Sequence, residues 1–216
     1  MAVKGLFITL EGGEGVGKTT GMQHLEQCLR EQGVDLVVTR EPGGTGFGEC
    51  VRNLLLEVQQ GSMDDMAELL LIFSARAQHL REVIEPALEQ GRWVLCDRFT
   101  DATYAYQCGG RGIDPAAVSR LETLVQGTLR PNATILFDAP VSVGMARAKE
   151  RGKLDRFERE SNNFFDAVRE NYLARAARDS ERFRVIDASQ SLVTVKKSLE
   201  TVVLQIVEAA RSRGAL

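Results

Sequence analysis

The chain has 216 residues, 44% of them hydrophobic, which is enough to bury one sizeable core and too few for more than one or two domains. Its 27 Lys and Arg against 30 Asp and Glu give a net charge of -3, which gives no reason to expect nucleic acid or an acidic membrane as the main partner. Any phosphate site has to be local. Cys28, Cys50, Cys96 and Cys108 form no C-x-x-C pair, so reduced thiols are expected in place of a zinc site or a disulfide scaffold. The opening apolar run and every later one are too short for a signal peptide or a membrane span, and a soluble cytoplasmic protein is expected.

In chain order, apolar or β-branched runs at 6–10, 36–39, 93–96, 134–137 and 183–186 read as strands buried on both faces. Helical stretches lie between them. Asp114 before Pro115 suits an N-cap and first helical residue, and Ser191 suits the cap of a terminal helix. That helix carries an apolar stripe of Leu192, Val195, Leu199, Val202, Ile206 and Ala210. Alternation of strand and helix without a linker or repeat predicts a single α/β domain over 1–216. Its architecture is an open parallel five-stranded sheet with helices on both faces. In such a sheet ligands bind beyond the carboxyl ends of the strands, where Glu11-Gly12, Arg40-Glu41, Asp97-Arg98 and Asp187 fall.

Gly12-Gly13-Glu14-Gly15-Val16-Gly17-Lys18-Thr19 matches G-x-x-x-x-G-K-[ST] between a predicted strand and a predicted helix, the context that a nucleotide phosphate loop requires. Glycines let successive N–H groups turn inward, and the helix that opens after them adds its positive end. Lys18 is placed to reach the β- and γ-phosphates of ATP, with the Thr19 hydroxyl on Mg2+ and Thr20 following. GTPases share the loop, but the chain lacks N-K-x-D and D-x-x-G, so a nucleotide-driven switch is the lesser reading.

On the acceptor side, Ile72, Phe73 and Arg76 share one helix face by their spacing, an apolar surface beside a guanidinium that can take a base and one of its carbonyls. Asp97 ends the third strand, placed for the hydration shell of Mg2+, and Arg98 follows it within reach of an acceptor phosphate. Arg147, Lys149, Arg151, Lys153, Arg156 and Arg159 surround Gly152, which suits a short mobile lid over about 147–159. With Glu14 and Val16 in the loop and no arginine there, the arginines that neutralise transferred charge are expected from the lid. A phosphate acceptor is already an anionic nucleophile, so the chemistry asks for cations and no general base. His24 and His79 show no metal-ligand spacing and read as ordinary helix residues.

These strings together resemble bacterial thymidylate kinase over essentially the whole chain. They are the phosphate loop after Leu10-Glu11, Arg40-Glu41-Pro42-Gly43-Gly44-Thr45, Phe73-Ser74-Ala75-Arg76, Asp97-Arg98-Phe99 with Ala105-Tyr106-Gln107, and Asp187-Ala188-Ser189. The resemblance implies a phosphate-loop NTPase fold, a homodimer, and transfer from ATP to dTMP giving ADP and dTDP, with kinases for other nucleoside monophosphates as the alternative. It further implies that Arg76 bonds the thymine carbonyl, that Thr103 and Gln107 read the base edge, and that Tyr106 presses on the deoxyribose. Glu14 would approach the 3′-hydroxyl, Arg52 and Arg98 the acceptor phosphate, and Glu41 and Pro42 would belong to the substrate site. Lys18, Arg98 and the lid arginines Arg147, Arg151 and Arg156 would be catalytic. Two positions depart from many relatives: an aromatic is common where Ile72 stands, and Tyr or His where Phe99 stands.

Overall fold

Alternate residues of a strand point to opposite sides of its sheet, so a run without a polar face needs cover on both. The computed structural model, which describes residues 5–57, 63–150, 152 and 156–212, provides that cover for the three central strands. The runs at 36–39 and 183–186, expected to be buried on both faces, form the two edge strands, where Val38 and Val185 are exposed because no helix among the described residues covers that side. Strands β1 (Phe7–Gly12), β2 (Leu36–Arg40), β3 (Trp93–Asp97), β4 (Ala133–Asp138) and β5 (Phe183–Asp187) pair in parallel in the order β2-β3-β1-β4-β5. All five expected strands are present, each extended at its carboxyl end. Backbone pairing continues through Arg40↔Asp97 and Asp138↔Asp187, past the point where the apolar runs stop.

The helices in chain order are α1 (Lys18–Glu31), α2 (Gly46–Glu57), α3 (Asp65–His79), α4 (Glu85–Glu89), α5 (Thr100–Thr103), α6 (Pro115–Gln126), α7 (Val141–Glu150), α8 (Asn162–Arg178) and α9 (Leu192–Ser212). π-Helical stretches at Leu80–Ile84 and Tyr104–Gly110 join α3 to α4 and continue α5. Ile8, Leu10, Leu95, Ile135 and Phe137 face α1 and α9, packing on Leu25, Leu29, Leu199 and Val203. Their neighbours in sequence face the other way: Phe7, Val94 and Cys96 pack on Leu80, Ile84 and Phe99, and Leu136 on Phe165 and Val168 of α8. The period of two thus sorts each strand between two cores.

The expected caps form, with the Asp114 carboxylate accepting from the Ala116 N–H at 2.9 Å and Ser191 Oγ accepting from the Thr194 N–H at 3.2 Å. The α9 stripe is buried from Val195 to Ala210, while Leu192 stands in solvent at the first turn.

Helix α1 lies so close to the sheet that a Cβ on Gly21 would fall 2.3 Å from the buried Phe137 ring. Gly21→Ala should therefore lower stability by about 1–2 kcal/mol, the overpacking outweighing the better helix propensity of alanine. Denaturant melts measure it, and an alanine variant as stable as the parent would show that α1 can lift off the sheet freely.

Candidate active site

Four loops at the carboxyl ends of β1 to β4 and the turn after β5 meet along one edge. The loop Gly12–Lys18 turns on left-handed glycines, including Gly15 at φ 66° and Gly17 at φ 89°. A Cβ at Gly15 would lie 1.8 Å from the Gly144 carbonyl oxygen, and one at Gly144 would lie 2.4 Å from the Glu14 carbonyl, so α7 touches the loop backbone to backbone. Lys18 is folded back into this loop and donates to the Gly12 and Gly13 carbonyls at 2.9 and 2.6 Å. Burial, with the charge of Arg98 next, lowers its ammonium from 10.5 to about 8.

Arg98 takes a left-handed backbone at φ 67°, uncommon for a residue with a Cβ, and this turns its side chain back across the end of β3 toward the loop. The guanidinium donates to the Gly12 carbonyl at 3.0 Å, to Glu14 Oε1 at 2.6 Å and to Tyr172 Oη at 3.3 Å, and stacks over the Tyr106 ring. Tyr106 also donates to Glu14, at 2.7 Å. Beneath them the buried Glu11 carboxyl accepts from the Phe99 N–H and the Tyr172 hydroxyl, both at 2.8 Å. Burial, then the nearby charge of Asp101, pushes Glu11 up from 4.5 to about 8.

A cavity of about 470 Å3 runs from this loop to α3 and the segment that follows α5, a volume suited to a small ligand. Glu14, Gly15, Val16, Gly17, Lys18, Thr19 and Thr20 line one end; Glu41, Pro42, Arg52, Ile72, Arg76, Thr103, Tyr106 and Gln107 line the other; Asp97 and Arg98 stand between. Arg76 is buried and fully oriented. Its Nε donates to Glu41 Oε2 at 2.7 Å and its Nη2 to Thr103 Oγ1 at 3.0 Å, while buried Nη1 has no partner among the described residues. Glu41 is held in turn by His79 Nδ1 at 2.9 Å, and His79 Nε2 meets Thr39 Oγ1 at 2.6 Å. His79, expected to be an ordinary helix residue, is thus wholly buried in a chain of hydrogen bonds that orients Arg76. Arg52 donates to the Pro42 carbonyl at 3.0 Å.

Two expected residues lie elsewhere. Phe73 is not among the residues that line the cavity; it is buried against Leu69, Cys108 and Val118, with its ring beneath the Arg76 guanidinium, so Ile72 alone of the pair lines the cavity. Arg156 does not face the phosphate loop: it pairs with the buried Glu68, donates to the Leu55 carbonyl at 2.7 Å and stacks on Phe157. Glu68 is a stronger attractor for it than solvent because a buried carboxylate needs a cation. Arg147 does line the cavity and donates to the Ala188 carbonyl at 2.8 Å, and Arg151 lies outside the described residues. Helix α7 ends at Glu150, and Gly152 follows at φ 114°, which fits the expected break. The Asp187 carboxylate is taken up by its own turn, accepting from Ser189 and Gln190. Glu68, Arg111, Phe157 and Tyr172 carry no signal in the sequence, since each acts through partners far along the chain.

A phosphate loop and a base-sized cavity walled by oriented cations, on one edge of a parallel sheet, define a phosphate-loop nucleotide kinase. The chain belongs to the thymidylate kinase family, whose model matches residues 10–199. It is 56% identical over 207 residues to the thymidylate kinase of Ectopseudomonas mendocina, covering 96% of this chain and 99% of that one. With the thymidylate kinase of Pseudomonas putida it shares 56% over 209 residues, 97% of this chain and all of the relative. The crystal structure of thymidylate kinase from Ehrlichia chaffeensis is similar at a TM-score of 0.75 and 32% identity, over 94% of this chain and 99% of that one.

Two pH effects follow. Because the folded Glu11 carboxyl is raised, its contribution to stability is present below the ordinary value of 4.5 and is lost as pH rises toward about 8. Glu11→Gln can still accept from the Phe99 N–H while its NH2 donates to the Tyr172 oxygen, reversing that bond, and should abolish this loss, leaving melts more nearly independent of pH across the window; an unchanged pH slope would mean that Glu11 does not cause it. Lys18 lowered to about 8 should gain a proton when polyphosphate binds. Calorimetry of ATP binding near that pH, in buffers of different ionisation enthalpy, should register proton uptake that Lys18→Met lacks.

Proposed function

We propose that this chain transfers the γ-phosphoryl group of ATP to dTMP, giving ADP and dTDP, as its family membership implies. The observation that carries the reading is the single cavity that joins the phosphate loop to Arg76, Thr103 and Gln107, with Arg98 between them. The obstacle to such a reaction is repulsion between two polyanions. Lys18, Arg98 and Arg52 supply charge along the path of transfer, and Arg147 supplies it from the wall near β5. Arg151 of the lid over about 147–159 is a further candidate donor. Gly12 to Thr20 hold the triphosphate through the loop backbone. Glu14, which accepts from Arg98 and Tyr106, is placed to meet the sugar when Arg98 turns to the acceptor phosphate.

Thr19 and Asp97 are the residues that would hold Mg2+, whose charge would offset that of the triphosphate. Asp97 Oδ1 is buried without a hydrogen-bond partner among the described residues, and no cluster of three or more ligand side chains occurs among them. That donor set fits an ion that keeps water and phosphate in its shell, as Mg2+ does.

We further propose one kinase domain over 1–216 that acts in the cytoplasm as a homodimer, without nucleic acid or membrane partners. Exposed Phe47 and Leu54 on α2, with Met66 and Leu70 on α3, support a second copy as partner. Among the described residues, no helix is long and apolar enough to cross a membrane.

ADP release with each nucleoside monophosphate in turn tests the activity. Highest turnover with AMP, GMP or CMP would indicate another kinase of this class, and no acceptor-stimulated turnover would indicate a switch. The Nη1 donor of Arg76, without a partner among the described residues, suits a carbonyl and repels the cytosine amino group. Arg76→Ala should raise the barrier for dTMP by about 2–3 kcal/mol and narrow the preference over dCMP. Since dUMP lacks only one methyl, it should fall behind dTMP by about 1 kcal/mol. A dTMP to dCMP ratio untouched by the substitution would remove Arg76 from the base site.

A further inference from the structure

We propose that Glu68 is a positioning residue that fixes the hydrogen-bonding polarity of Gln107, and so supplies the half of base selectivity that Arg76 cannot. The inference rests on the dTMP kinase reading above.

Glu68 lies on α3, 1% exposed, and collects donors from three directions. Gln107 Nε2 donates to its Oε1 at 2.9 Å; Arg111 donates through Nε at 3.3 Å and Nη2 at 3.4 Å; Arg156 Nη2 completes the set. A carboxylate between two guanidinium groups accepts and does not donate. The amide of Gln107, itself 2% exposed, has two ends, and only its NH2 can face Glu68. Its carbonyl Oε1 is therefore turned away, makes no hydrogen bond among the described residues, and belongs to a side chain on the cavity wall.

The cavity wall consequently carries one fixed acceptor, Gln107 Oε1, and beside it Arg76, whose buried Nη1 donor has no partner among the described residues. A pyrimidine edge with a ring N–H beside a carbonyl, as in thymine and uracil, satisfies both. Cytosine presents the reverse, a ring nitrogen acceptor beside an amino donor, and satisfies neither. Unrestrained, the Gln107 amide could turn over and offer its N–H to that ring nitrogen. Glu68 forbids the turn, because its price would be two buried acceptors facing each other.

Glu68→Gln is close in shape and can either accept or donate, so it releases the restraint. Arg111 keeps its 2.6 Å pair with Glu160, and Arg156 keeps the Leu55 carbonyl. Steady-state kinetics with dTMP and dCMP should be measured for wild type, Glu68→Gln, Gln107→Leu and the double variant. A ratio of two efficiencies is independent of the fraction folded. The expected result is a fall of about tenfold or more in the dTMP to dCMP ratio on Glu68→Gln, carried by the KM for dTMP with the KM for ATP unchanged. In the Gln107→Leu background the same change should leave the ratio where it was. An unaltered ratio in Glu68→Gln, or an equal fall in both backgrounds, overturns the proposal. If Glu68→Gln gives no folded protein, Glu68→Asp keeps the charge for Arg111 and shortens the reach to Gln107; a smaller fall in the ratio supports the proposal and none refutes it. Wild type that does not prefer dTMP would remove the dTMP reading itself, whereas wild-type selectivity kept in Glu68→Gln removes this inference alone.

Discussion

Cations that must meet phosphate and base inside a protein have to be buried before the ligand arrives, and a buried cation without a partner is costly. That constraint organises the whole carboxyl edge of the sheet. Arg98 is held by Glu14, Arg76 by Glu41 and Arg156 by Glu68, while Lys18 occupies the carbonyls of its own loop. The carboxylates are in turn fixed by Tyr106, by His79 and by Arg111 and Gln107. The site is oriented by these pairs, because each buried cation is held by a carboxylate or a main-chain carbonyl.

The fold was legible because burial and period coincide. The central strand runs are buried on both faces, so 93–96 and 134–137 could be read without knowing their neighbours, while the half-exposed edge runs 36–39 and 183–186 carry no mark in the sequence of which side stays open; the caps at Asp114 and Ser191 are local. The phosphate loop was legible for the same reason: the glycine spacing and the flanking elements lie within a dozen or so residues. Carboxyl ends were read one or two residues short, since pairing continues into Arg40, Asp97 and Asp187 after hydrophobicity has ended.

What stayed hidden depends on contacts between distant segments. Helical spacing put Phe73 and Arg76 on one face, but adjacent positions on a helix diverge by about 100°, and only the packing of α6 decides that Phe73 is core and Ile72 is wall. Arg156 reads in the sequence as one of several lid cations, because its partner Glu68 is 88 positions away. His79 reads in the sequence as an ordinary helix residue and Glu68 carries no signal there, and their meaning appears only when β2 and the Tyr104–Gly110 stretch close over them.

The contact between Gly15 and Gly144 has a consequence for how such a chain can vary over time. Gly144 sits inside α7, a place where most residues would be better helix formers, and nothing in its local context marks it out. Yet the phosphate loop rests on it with no side chain between, so a position remote from the loop in sequence inherits the loop's intolerance. Drift at residue 144 is barred by the neighbour's backbone, and because a Cβ at either glycine meets a main-chain carbonyl of the other segment, changing both together relieves neither clash.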